Sequence, residues 1–144
     1  MSERSLEFRV DPILEQYAIA DLERAVDLGA TSFWPAYYLS HHRLQIHDWR
    51  GVDQFGDVAL RLVPPDRIRA NVLEWQAIAR FHLGSDPTQC REQMLAAIEL
   101  APTNEHLRRN LQILEAATGA PSPKLEWEVM RDAEKDTADV QLAA

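Results

Sequence analysis

A chain of 144 residues with 46% apolar content is the size of one domain and has enough apolar mass for a core. No apolar run approaches the roughly 20 residues of a membrane span. The net charge of −8, with the basic residues scattered among acids, counts against nucleic acid and against an acidic membrane surface as partners. Met1–Glu7 has no signal-like apolar stretch and the single cysteine, Cys90, has no partner for an internal disulfide. A cytoplasmic location is therefore expected.

In chain order, residues 1–10 read as an N-terminal arm, 11–119 as a helical domain and 120–144 as a tail that is either free or docked. Asp11-Pro12 predicts the start of a first helix, because Asp is a good N-cap and proline at the first helical position loses no needed donor. That helix runs to about Leu28 and stops at Gly29, with Leu14, Ala18, Leu22, Ala25 and Val26 at helical spacing. Ser32 is the expected cap of a helix over about 33–47, with Pro35 in its first turn. Asp48 caps the next, 49–62, whose Val52, Phe55, Ala59 and Leu62 share a face before Pro64-Pro65 end it.

Asp66 starts a longer helix to about Leu83, stopped by Gly84. Ile68, Val72, Trp75 and Ala79 lie on one side of it and Ala70, Leu73, Ala77 and Phe81 on another, the pattern of a helix packed on two faces. Asp86-Pro87-Thr88-Gln89 restarts the chain with a capping-box-like signal, and Cys90, Met94, Ala97 and Ile98 form the buried stripe. The last helix, about 104–117, carries Leu107, Leu111 and Leu114, has Arg108, Arg109, Asn110 and Gln112 on its polar faces, and ends at Gly119. In the tail, Leu125-Glu-Trp-Glu-Val129 alternates apolar and acidic residues. It reads either as a solvated segment or as one that docks back on the domain, since tryptophan is costly to leave in water.

An internal period runs through these elements. Glu23–Ser32, Asp57–Asp66 and Leu95–Asn104 each read Ala, bulky aliphatic, charged, Leu, two residues and a turn. Ala25 to Ala59 is 34 residues, and Ala59 to Ala97 is 38, or 34 plus about one helical turn near Arg67–Ala70. Asp48-Trp49 and Asp86-Pro87 each begin 11 residues before their alanine. Leu39-Ser40 and Ala77-Ile78 begin 20 before theirs.

A period of this length made of paired helices resembles the tetratricopeptide repeat (TPR) family, over roughly residues 12–117. In that likeness Ala59 and Ala97 stand at the family's small helix-contact position, Pro64 and Pro102 at its turn proline, and Asp48-Trp49 at its acidic–aromatic link. The repeats diverge: Ser40 and Ile78 stand where the family prefers glycine, and Arg43 replaces an aromatic that Phe81 keeps. The resemblance implies an all-α superhelix of about six helices, hairpins stacked side by side, with a recognition groove lined by the first helix of each pair. Carried over by register, the lining is Trp34, Tyr37, His41, Leu44, Val72, Trp75, Ala79 and His82, completed by His106 and Arg109, with Trp34, Val72 and Trp75 reading equally well as core.

Some members grip a partner's C-terminal carboxylate with lysines and asparagines. The corresponding positions here, Tyr37, His41, Gln76, His106 and Asn110, largely lack that clamp. The first helix resembles the second half of a repeat whose first helix is missing, which would leave an edge for a homodimer. The Leu125–Val129 segment is a candidate internal placeholder in the groove.

Residue chemistry adds no motif for catalysis. His41 and His42 point about 100° apart on a helix, and His42 and His47 are five apart, not the four that share a face. No His-Glu-x-x-His, cysteine pair, glycine-rich phosphate loop or Gly-x-Ser-x-Gly occurs. His41, His82 and His106, one from each inner helix, are the only triad that could converge on a metal or phosphate. Cys90 lies on a helix stripe and reads as core. The expected function is a non-enzymatic adaptor or assembly factor that holds a protein segment, without metal or cofactor. The alternatives are a structural homo-oligomer and a His-lined ligand-binding or enzymatic helical domain.

Overall fold

The computed structural model describes residues 12–117 and 125–127, with 12–17 as backbone alone. Asp11, Gly119, the arm at 1–10 and the rest of the tail lie outside the described residues. Six helices occur among the described residues: α1 (Pro12–Asp27), α2 (Trp34–Gln45), α3 (Trp49–Arg61), α4 (Asp66–His82), α5 (Pro87–Leu100) and α6 (Glu105–Ala117). No strand occurs among the described residues, so the fold is all-α.

Each helix packs on the next in chain order, and α2 also touches α4. As its two-sided apolar pattern implies, α4 is the centre. Ile68, Val72, Trp75 and Ala79 are buried on one side and Ala70, Ala77 and Phe81 on the other. Ala70 joins Ala97 and Leu107 in a second, smaller core between α4, α5 and α6. The two repeat alanines, Ala59 and Ala97, are both 0% exposed, which is what close helix approach demands of a small side chain.

The helix starts follow local chemistry. Asp48 accepts from the Gly51 N–H at 3.1 Å and Asp86 from the Thr88 N–H at 3.0 Å. Ser32 Oγ accepts from the Trp34 N–H at 3.2 Å, although the residue before the helix is Phe33. The ends of α1 to α4 share one device, a left-handed residue. Gly29 and Gly84, at φ +78° and +89°, turn the chain out of α1 and α4, with 6→1 bonds from Ala30 to Ala25 and from Ser85 to Arg80. His47 and Val63 occupy the same left-handed position after α2 and α3, at φ 59° and 52°, without the freedom of glycine. That turn ends α2 at Gln45 and α3 at Arg61, one or two residues earlier than the sequence pattern indicated.

Polar clamps fix the helix pairs. Arg80 donates to Asp53 Oδ1 and to Gln93 Oε1, both at 2.8 Å, bridging α3, α4 and α5. Arg43 pairs with Glu23 of α1 and lies 5.3 Å over the Phe55 ring of α3. A cation on an aromatic face thus helps join α2 to α3.

Candidate functional site

Helix α2 packs on α4, and side-chain hydrogen bonds reach from α4 to α6. A polar seam ties them. Asn71 Nδ2 donates to the Tyr37 hydroxyl at 3.1 Å, joining α4 to α2. Asn110 Nδ2 donates to Glu74 Oε2 at 2.7 Å, and His106 Nε2 meets Glu74 Oε1 at 3.0 Å, joining α6 to α4. Glu74 is 0% exposed, and a buried carboxylate is tolerable only with such donors around it. Burial pushes the Tyr37 hydroxyl well above the ordinary phenol range, and the Asn71 bond only partly offsets it.

This geometry corrects the exposure expected along the inner wall. Tyr37, Leu44, Val72, Trp75, Ala79 and His106 are buried. The reason is that α2, α4 and α6 close on one another through the seam and the aromatic cluster. Trp75 lies 4.9 Å from the Tyr37 ring and 5.3 Å from His41. Trp34 is half-buried and stacks on Tyr38, His41 and His82 are half-buried, and Arg109 is exposed. Asn110, expected on a polar outer face, is instead 0% exposed, and Gln76 faces α3, where it donates to Asp57 at 2.8 Å.

Burial lowers His41 to about 4, with His42 adding to the effect. Its Nε2 and the Trp75 indole N–H, both shielded from solvent, have no hydrogen-bond partner among the described residues. Cys90 is buried, and burial raises its thiol despite the nearby Arg80, so it sits as an unreactive core thiol.

His41, His82 and His106 are not brought together. His41 lies on Trp75, His106 on Glu74, and His82 in an aromatic stack at the end of α4. Among the described residues no group of three His, Cys, Asp or Glu side chains is placed to hold a metal ion. A cavity of about 300 Å³ lies between α1, α2 and α3, lined by Val26, Ala30, Ala36, Val58 and Leu62, with Arg61 as its charged side chain. It contains no acid–base pair.

The half-open part of the wall is the stack at the α3–α4 end. Trp49 stacks on His82 with centroids 4.2 Å apart and planes 5° from parallel, and on His47 at 4.9 Å and 13°. The left-handed turn at His47 brings that ring to Trp49. Onto this stack comes the tail segment: Leu125 and Trp127, in non-helical chain, pack against the main core. The Trp127 indole N–H donates to His82 Nε2 at 3.2 Å, and its ring meets Phe81 edge-on at 6.4 Å. Residues 125–127 are therefore docked, and the solvated reading does not hold for them. Val129 lies outside the described residues.

Sequence reasoning placed His82 and Trp127 but missed the roles of Trp49, Phe81, Asn71 and Glu74. Trp49 carried a signal, an aromatic right after a helix cap at a repeat landmark; Glu74 carried none. The chain matches no family model, no curated protein and no solved structure.

Proposed function

We propose that the protein is a TPR-like interaction module, an adaptor or assembly factor of the cytoplasm, that holds an extended segment of a partner protein at the α3–α4 end of its helix stack. The observation that carries this reading is the seating of Leu125–Trp127, a short stretch of non-helical chain packed on the core, with Trp127 against Phe81 and His82. A surface that accepts one such segment of its own chain has the ring edges and acceptor to take a like segment from another. Aromatic anchors in half-buried seats are the usual energetic centres of interfaces. The repeat period and the joining of α2, α4 and α6 support the TPR-like part of the reading. Among the described residues no helix is long and apolar enough to cross a membrane.

The test uses full-length chain carrying Trp127→Ala, which empties the seat, titrated with a synthetic peptide of residues 123–129. Saturable one-to-one binding by calorimetry is expected. No heat and no spectral change at millimolar peptide would end the reading.

A second reading, end-to-end association of two copies, is favoured by one observation. Leu28 and Val63, next in sequence to Gly29 and Leu62 of the cavity lining, are 80% and 74% exposed. A mass that rises with concentration in light scattering, and falls back in a Leu28→Lys variant, is its signature.

A further inference from the structure

We infer that the α3–α4 seat reads a tryptophan specifically, through the indole N–H, so that the partner of this module presents Leu-x-Trp in extended chain. The inference rests on the binding-module reading and deepens it. Three features single out tryptophan among aromatic residues. The acceptor is His82 Nε2, 3.2 Å from the indole nitrogen, and neither Phe nor Tyr carries a ring N–H. The acceptor is held in place: His82 is stacked face to face on Trp49, so its nitrogen cannot swing away from the seat. The approach is edge-on, at 79° to His82 and 80° to Phe81, which points the N–H edge of the incoming ring into the wall.

Leu125, two residues before Trp127, also packs on the core, while Glu126 between them is exposed. In extended chain, residues two apart share a side. The seat therefore takes an aliphatic and a tryptophan at that spacing and leaves the middle position to solvent. The chain's own Leu125-Glu-Trp127 is the resident occupant, and a partner segment must displace it.

For Nε2 to accept, the imidazole must be neutral with its proton on Nδ1. Burial, then the nearby His47, holds His82 below its ordinary value of 6.5 and so favours that neutral form. The described groups facing His82 are His47 from the loop between α2 and α3, Trp49 from α3, Phe81 from α4 and Trp127 from the tail. Imidazolium has no free Nε2 lone pair, so the indole bond is lost as pH falls through the depressed His82 value.

The test compares two peptides of residues 123–129 on the full-length Trp127→Ala chain, one native and one carrying 1-methyltryptophan, which removes the N–H and changes nothing in the protein. The native peptide is expected to bind about tenfold more tightly, a ratio typical of one hydrogen bond. In a Trp127→Ala/His82→Phe chain, which keeps a ring on Trp49 but has no acceptor, the two peptides are expected to bind alike. The ratio in the His82 chain is expected to shrink toward one as pH falls through the depressed His82 value. Equal binding of the two peptides to the His82 chain at neutral pH overturns the inference while leaving the binding module standing. So does a methyl penalty of equal size in both chains, which would be steric. Failure of both peptides to bind overturns the inference and the binding reading together.

Discussion

In the seam between α2, α4 and α6, the buried polar side chains meet one another: Glu74 takes donors from His106 and Asn110, and Tyr37 takes one from Asn71. At the α3–α4 end the arrangement is different in kind. The Trp49–His82 stack is half-open, and what completes it comes from a short non-helical piece of tail. A fully buried, mutually satisfied network fixes which helix lies beside which, since any slip strands a charge in the core. The wall expected to recognise a partner thus divides into a buried part that builds the fold and a half-open part, which the proposed function makes exchangeable.

That division has consequences of different sizes. The largest belongs to the aromatic cluster beside the seam. Trp75→Ala removes a 1% exposed indole and is expected to cost about 3–5 kcal/mol in chemical denaturation. Next is Asn110→Ala, which strips a donor from buried Glu74 and is expected to cost about 2 kcal/mol. By contrast Trp127→Ala should leave the denaturation midpoint within about 1 kcal/mol of wild type, because its ring is half-buried and the tail is not part of the helix stack. A cost as large as that of Trp75→Ala would merge the two regions and break the comparison.

The third effect is a slope. His41 is neutral in the fold down to about 4, whereas in the unfolded chain it protonates near its ordinary 6.5. Its folded value is depressed, so its contribution is intact above 6.5 and is lost as pH falls toward 4. The loss is at most about 1.4 kcal/mol per pH unit. A His41→Gln variant is expected to flatten the fall in stability over that range, as read from urea midpoints at a series of pH values. The smallest effect has the opposite sign. Val63 is β-branched, exposed and left-handed at φ 52°, and Val63→Gly is expected to stabilise by about 1 kcal/mol, with the midpoint rising.

The sequence made most of the helices legible because their signals are local. Asp48 and Asp86 announced two starts, Gly29 and Gly84 two stops, and the spacing of Ala59 and Ala97 the repeat. The left-handed turns at His47 and Val63 were not legible, since neither residue type prefers that conformation enough to mark it. Site residues failed for another reason. Glu74 looks like any surface acid within its helix, and its donors His106 and Asn110 are 32 and 36 positions away. Only the register between α4 and α6 turns it inward. Trp49 and His82 likewise acquire meaning only as a stacked pair. Burial of Tyr37 was misread, and Val72 and Trp75 were assigned both to a packed face and to the groove, because helical spacing defines a face without saying what lies against it.

The most direct test of the exchangeable seat is the indole N–H of Trp127 in the wild-type chain, followed by nitrogen–proton correlation spectroscopy. With the segment docked on His82, that proton exchanges with water far more slowly than a free indole, and it loses protection as pH falls through the depressed His82 value or when His82 is replaced by Phe. Exchange at the free-indole rate at neutral pH, with a signal indifferent to His82→Phe, would contradict it.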